Sequence, residues 1–242
     1  MRATLHLKPF QNYYRTTFAV LEPNHPWVKG LPTFGEQRIN KCRHYEGRLS
    51  HMPNEQANLI WIDCEMTGLS LEKDVLVEIA VLVTDSDLNV IGQGVDVVIK
   101  ASPEQLAGMN EFVTQMHTTS GLITQIPKGI SVQEAEAKVI AYLESASTQP
   151  GKSPLAGNSV SVDRSFIARD MPLLNEYLHY RTVDVSSIKE LTRRWFPKAY
   201  FAAPAKTGNH RALGDIQDSI AELAYYRQAV FISAHNEEPT TA

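Results

Sequence analysis

The chain has 242 residues, 43% hydrophobic and 21% charged, which suits one globular domain with a real core plus some additional chain. No run of about 18 apolar residues is present, so no membrane-spanning helix is indicated, and two cysteines, Cys42 and Cys64, are too few for a disulfide framework. The net charge of −4 is unevenly divided: residues 1–51 carry eight Lys/Arg against three Asp/Glu (+5), and residues 52–242 carry 15 against 24 (−9). An acidic main part argues against long nucleic acid held on a broad basic surface. It permits a short ligand held by a metal and a few local groups.

Residues 1–51 show no sustained helical or strand period and are treated as an N-terminal extension; Met52 opens "MPNEQANLIWID", which reads as a natural start just before a first strand. Three readings of the extension stand open. It is an upstream or appended start, a targeting peptide, or an accessory segment. Three basic and no acidic residues in the first 21 suit a mitochondrial leader, although serine is absent there. Without such a leader, a reducing cytoplasmic setting fits the cysteine usage, with Cys64 a buried free thiol.

From residue 52 to 242 the pattern is that of one domain. Residues 58–63 read as strand one, and residues 77–84 and 90–99 as strands two and three. The short linker "DSDLN" makes the last two a hairpin. Residues 103–116 are helical in part. A helix over 131–145 opens on a capping box, Ser131 with Glu134, and carries Val132, Ala135, Val139, Ile140 and Leu143 on one face. A short buried strand at 154–157 precedes a helix at 160–171, a strand at 181–185 and a helix at 186–196 stopped by Pro197. A last helix spans 211–231, with Leu213, Ile216, Ile220, Leu223 and Ala224 as its apolar stripe. Hairpin-linked strands followed by alternating helices and strands predict an α/β fold, a mixed five-stranded sheet flanked by helices.

The chemistry begins at "IWIDCEMTGL". Residues i and i+2 of a strand share a face, so Asp63 and Glu65 stand side by side next to apolar neighbours. Like charges that close repel and raise each other's pKa. Asp163 follows the short buried strand, in the first turns of a helix, where dipole complementation is the plain alternative. Asp215 lies beside the apolar stripe of the last helix. Asp218 and Glu222 read as a solvated face, and Asp184 as a helix N-cap. Four acids beside apolar elements suit hard cations, whose charge offsets the repulsion. Two such ions about 4 Å apart can clamp the attacking and leaving oxygens of a phosphoryl displacement. His210, five residues before Asp215, has the pKa range of a general base; a surface histidine is the plain alternative.

"WIDCEMTGL", "GNSVSVDRSF" and "NHRALGDIQDSIAEL" resemble the three exonuclease motifs of the DEDDh 3′→5′ exonucleases, which have the RNase H-like fold. "MHTTSGL" and "YRTVDVSSIKEL" are similar to signatures of the oligoribonuclease family within that group, and the resemblance covers about residues 57–233. It implies that Asp63, Glu65, Asp163 and Asp215 hold two divalent cations, Mg²⁺ or Mn²⁺, and that His210 activates water. It implies short RNA substrates, chiefly dinucleotides and including linear diguanylate, cut to mononucleotides. Leu69 and Phe112, the latter where the family carries Trp, would pack on bases; His117 would lie near the substrate. Ser159, Arg181, Ser186 and Ser187 would form a cap for the 5′ phosphate, where an arginine fork can donate twice. The family is homodimeric, so His179, Tyr180 and Arg181 would reach the partner's site, with Tyr180 acting in trans. Trp195, Phe196, Tyr200 and Phe201 are open to two readings, dimer interface or core.

Overall fold

The computed structural model describes residues 57–206 and 210–231; the extension 1–51 lies outside the described residues. Five strands form one mixed sheet: β1 (Leu59–Met66), β2 (Leu76–Thr84), β3 (Val90–Val98), β4 (Pro154–Gly157) and β5 (His179–Asp184). Their order is β3-β2-β1-β4-β5. The first three are antiparallel, while β4 runs parallel to β1 and β5 to β4. In chain order the helices are α1 (Pro103–Ala107), α2 (Glu111–Thr119), α3 (Val132–Ser145), α4 (Ser161–Asp170), α5 (Pro172–Tyr177), α6 (Val185–Trp195), α7 (Pro197–Phe201) and α8 (Ala212–Ala229). This is the expected RNase H-like arrangement.

β1 is the centre of the sheet, and its alternation sorts the core. Ile60, Ile62 and Cys64 pack with Val139 and Leu143 of α3 and Phe166 and Ile167 of α4. Trp61 points to the other face and packs with Ile216, Leu223 and Tyr226 of α8. Its indole N–H donates to Thr84 Oγ1 at 2.9 Å, so the polar end of a fully buried ring is satisfied. Asp63 and Glu65 continue the Trp61 side of the strand, toward the helix that carries Asp215. α3 has the expected capping box: Glu134 N–H donates to Ser131 Oγ at 3.2 Å, and Ser131 N–H to Glu134 Oε2 at 2.9 Å.

Several boundaries differ from expectation. β1 runs three residues past Asp63 to Met66, because the ladder with β2 continues through Glu65 opposite Glu78. The helical region after Ser102 is two helices, broken at Gly108 and restarted by the Asn110 side chain, which accepts from Val113 N–H. The helix after β4 stops at Asp170, and Pro172 opens α5. β5 begins at His179, two residues earlier than its predicted start. Pro197 does end α6, and α7 follows at once.

α8 buries Ala212, Ile216, Ser219, Glu222, Leu223 and Tyr226; Leu213, Ile220 and Ala224 of the predicted stripe are only partly buried. Glu222 is thus not on a solvated face. Lys189 at 3.0 Å and Lys206 at 3.5 Å neutralise it, and the Asn158 amide at 3.3 Å and Tyr226 hydroxyl at 3.2 Å donate to it. Trp195, Phe196 and Phe201 are exposed in the single chain rather than in its core. Tyr200 is partly buried, its ring edge-on to Phe201. No helix among the described residues is long and apolar enough to cross a membrane.

Candidate active site

Three elements converge at one end of the sheet centre. β1 supplies Asp63 and Glu65, the first turn of α8 supplies Asp215, and the first turn of α4 supplies Asp163. One carboxylate oxygen from each of Asp63, Glu65 and Asp215 lies within 4.8 Å of the others. Asp163 is not in this trio. It stands beside it, with Oδ1 accepting from Cys64 N–H at 3.0 Å. That bond ties the start of α4 to the residue between the two β1 acids.

The group is electrostatically strained. Burial, then the charges of Asp163, Asp215 and Glu65, push Asp63 up to about 9, against a smaller opposing effect of Lys206. Burial, then Glu78, Asp215 and Asp163, push Glu65 up to about 8, with Arg211 opposing. Burial takes Asp163 to about 6, moderated by backbone N–H donors, and burial also raises Asp215 against the charges of His210 and Lys206. Four carboxylates raised in this way have less positive charge around them than their ionised forms call for. All the donors are hard oxygens, the set that suits Mg²⁺ or Mn²⁺ rather than a thiolate or imidazole metal.

His210 is exposed, with a left-handed backbone of φ 49° immediately before Arg211 and α8. His117 is fully buried in α2. Its Nε2 donates to Met66 O at 2.9 Å, while Nδ1 has no partner and lies 3.9 Å from Glu65 Oε2. The histidine expected near the substrate is therefore beside the acids, with an unpaired acceptor.

Leu69, Phe112 and Tyr180 are 75%, 74% and 74% exposed, although all are large and apolar or aromatic. Leu69 sits on a braced loop. Asp74 accepts from Thr67 Oγ1 at 3.0 Å and from Ser70 N–H at 2.8 Å, and Arg169 donates to Leu71 O and Asp74 O. A Cβ on Gly68 would meet the Asp74 carboxylate at 2.5 Å, so the loop needs glycine there. Across the sheet, Ser159 N–H donates to Ser186 Oγ at 2.9 Å and to Asp184 Oδ1 at 3.0 Å. Ser186 Oγ donates to Asn158 Oδ1 at 3.0 Å. Arg181 and Ser187 are exposed nearby in sequence, and the Arg181 guanidinium lies 5.4 Å from the Tyr180 ring centre. Asp184 caps α6 as expected, accepting from Ser186 N–H at 2.9 Å.

Sequence reasoning passed over Glu78 and Arg211. Glu78 is fully buried, the one charged residue of β2, and is paired with Arg211. A lone glutamate inside "VEIAVLVT" is itself the signal, since a buried carboxylate needs a partner.

A phosphodiester-cutting exonuclease is the class that this fold and acidic cleft define. The exonuclease family model (RNase T) matches residues 60–223. The oligoribonuclease of Streptomyces avermitilis is 57% identical over 184 residues, covering 76% of this chain and 92% of that protein. That of Streptomyces griseus is 60% identical, covering 72% and 87%, and that of Mycobacterium bovis 54%, covering 73% and 83%. Among solved structures, Escherichia coli exonuclease I in complex with a dA16 oligonucleotide is similar in fold: TM-score 0.56 and 15% identity, over 72% of this chain and 42% of that one. The chain belongs to the oligoribonuclease family of 3′→5′ exoribonucleases.

Proposed function

We propose that the protein degrades short oligoribonucleotides, chiefly dinucleotides, from the 3′ end to mononucleotides by two-metal-ion hydrolysis. The observation that carries this reading is the trio of carboxylate oxygens within 4.8 Å, held where burial and mutual repulsion oppose their ionisation. Asp63, Glu65 and Asp215, with Asp163 beside them, would hold two divalent cations. When bound, such ions supply charge stabilisation to the attacking and leaving oxygens of an in-line displacement. The chain's own part is then clear. His210, exposed at the mouth of the cleft, takes a proton from the attacking water. His117, buried beneath the site with Nδ1 3.9 Å from Glu65 Oε2, would support that carboxylate near the substrate.

Selectivity for very short chains rests on a site bounded at both ends. Leu69 and Phe112 offer apolar surfaces to the bases; stacking on an aromatic contributes roughly 1–3 kcal/mol per base. Ser159, Ser186, Ser187 and Arg181 form the cap for a 5′ phosphate, Arg181 contributing the charge. A capped site needs no basic stripe, which agrees with the acidic main part of the chain. Tyr180, exposed on an edge strand, is assigned to a partner's site in a homodimer, with Trp195, Phe196 and Phe201 as candidate interface residues. Linear diguanylate falls within the substrate class. We place the catalytic unit in residues 52–242, with 1–51 an extension. The relatives compared are bacterial, which favours the cytoplasm over a mitochondrial leader.

The test is a length series. With Mg²⁺ or Mn²⁺, 5′-phosphorylated RNAs of two, three, five and seven nucleotides are offered and mononucleotide release is followed. A steep preference for the dinucleotide is expected. Equal cleavage of the seven-nucleotide RNA would leave the exonuclease and remove the phosphate cap.

A further inference from the structure

We propose that Glu78 and Arg211 form a clamp that positions His210 for proton transfer; the inference rests on the base role given to His210 above. Glu78 is fully buried on β2, directly across the ladder from Glu65. Two glutamates opposed in that way repel, and a buried carboxylate is costly unless paired and hydrogen-bonded. Both oxygens of Glu78 are engaged by the entry to α8. Oε1 accepts from Arg211 Nε at 2.8 Å and from its terminal nitrogen at 2.5 Å, two charge-assisted bonds converging on one oxygen. Oε2 accepts from Ala212 N–H at 3.1 Å.

The second contact is a helix cap supplied from another element. Ser131 and Asp184 cap α3 and α6 with their own side chains, whereas Arg211, the N-cap residue of α8, makes no such bond. One of the free N–H groups at the start of α8 is instead satisfied by Glu78. The clamp thus holds residues 211 and 212 at two points, immediately after His210.

The backbone there turns abruptly. His210 is left-handed at φ 49°, Arg211 is extended at φ −128° and ψ 128°, and Ala212 begins the helix. A left-handed non-glycine residue persists only where its surroundings hold it. The held element next to it is the one that Glu78 grips from the sheet. Asp96 on β3 completes the surroundings, with Oδ2 3.9 Å from Arg211. Arg211 therefore faces Glu78, Glu65 and Asp96, and its own charge offsets all three.

Neither residue belongs to the carboxylate trio, and neither is assigned to the substrate. They act through His210 and are positioning residues. Proton transfer is sensitive to small displacements of the base, so loosening the clamp lowers turnover while substrate affinity stays.

The test is a double-mutant cycle on the full chain with 5′-phosphorylated RNA dinucleotide and Mn²⁺. Wild type, Glu78→Gln, His210→Ala and the double variant are compared in kcat and KM, and Mn²⁺ binding is measured by calorimetry. With Mn²⁺ held saturating for each variant, Glu78→Gln is expected to lower kcat about tenfold or more with KM for the dinucleotide changed less than about twofold. Added to His210→Ala, it is expected to cost less than about twofold further, since the base it positions is gone. Arg211→Gln, altered on the more accessible side, is expected to behave in the same way and decides the matter where Glu78→Gln fails to fold. An equal loss in both backgrounds at saturating Mn²⁺ would overturn the proposal and assign the clamp to Asp215 or to the fold at large. Should His210→Ala itself retain full turnover, the base role falls and the positioning role falls with it.

Discussion

At Asp63, burial and three neighbouring acids act together, and the carboxyl is driven to about 9. Glu190, on the surface of the same chain, shows the opposite case: hydrogen bonds from Arg193 and Arg194 hold it down to about 2. The difference is environment, not residue type. With Asp63 assigned to the proposed cation site, function opposes stability there, so Asp63→Asn is expected to abolish hydrolysis and yet stabilise the metal-free protein. The sign follows from linkage. The aspartate ordinarily titrates near 3.8 and here near 9, so its carboxyl form favours the fold at low pH and that favour is lost as pH rises toward 9. An asparagine avoids this loss. The gain in Tm should be near zero at pH 4 and grow up to about pH 9, by about 2–4 °C for each kcal/mol. Thermal melts of the two metal-free proteins across that range check it; a Tm gain independent of pH would reject the electrostatic account.

The elements were legible where one stretch of sequence holds the whole cause. α3 is the clearest: the Ser131–Glu134 box, the apolar stripe and the helix all lie within one segment, and the structure has all three. Because the cap is local and exposed, Ser131→Ala should cost about 1 kcal/mol, and the Tm should fall by about 2–4 °C with turnover on the dinucleotide unchanged; a change in turnover would tie α3 to the cleft. Legibility ended where the cause lies on another element. Glu222 read as solvated because Lys189, Lys206 and Asn158 come from three other places in the chain. From sequence, β1 is expected to end at Asp63, although the side-by-side placement of Asp63 and Glu65 already uses strand alternation. It continues to Met66 with Glu65 in the ladder, opposite a glutamate whose own counter-ion arrives from the entry to α8. The acids of the site were legible one by one from their apolar surroundings. Their convergence was legible only through the family motifs, since β1, α4 and α8 are far apart in sequence.

For the molecule as a whole, the balance of charge makes the proposed cations structural as well as catalytic partners. The part from 52 to 242 carries −9, and the acids of the candidate site repel one another with Lys206 and Arg211 as nearby cations opposing them. A polyanionic substrate gains nothing from such a field, so charge has to be supplied locally. The consequence can be measured on the intact protein. Glu65, Asp63 and Asp163 titrate near 8, 9 and 6 against ordinary values of 4.5, 3.8 and 3.8. All three are raised, so their contributions to metal-free stability are present at low pH and are lost as pH climbs from about 4 through 6, 8 and 9 in turn. Metal binding has the reverse dependence, because the ligands must be deprotonated. Saturating Mg²⁺ is therefore expected to raise Tm little at pH 6 and by several degrees at pH 8.5, where the free protein is weakened most. The measurement is a pair of melts with Mg²⁺ and with a chelator at each pH. Alanine at Asp215 should shrink the difference at pH 8.5, as one of the three clustered oxygens is then missing. A Mg²⁺ increment equal at the two pH values, or undiminished in Asp215→Ala, would mean that the cation binds elsewhere than between these carboxylates.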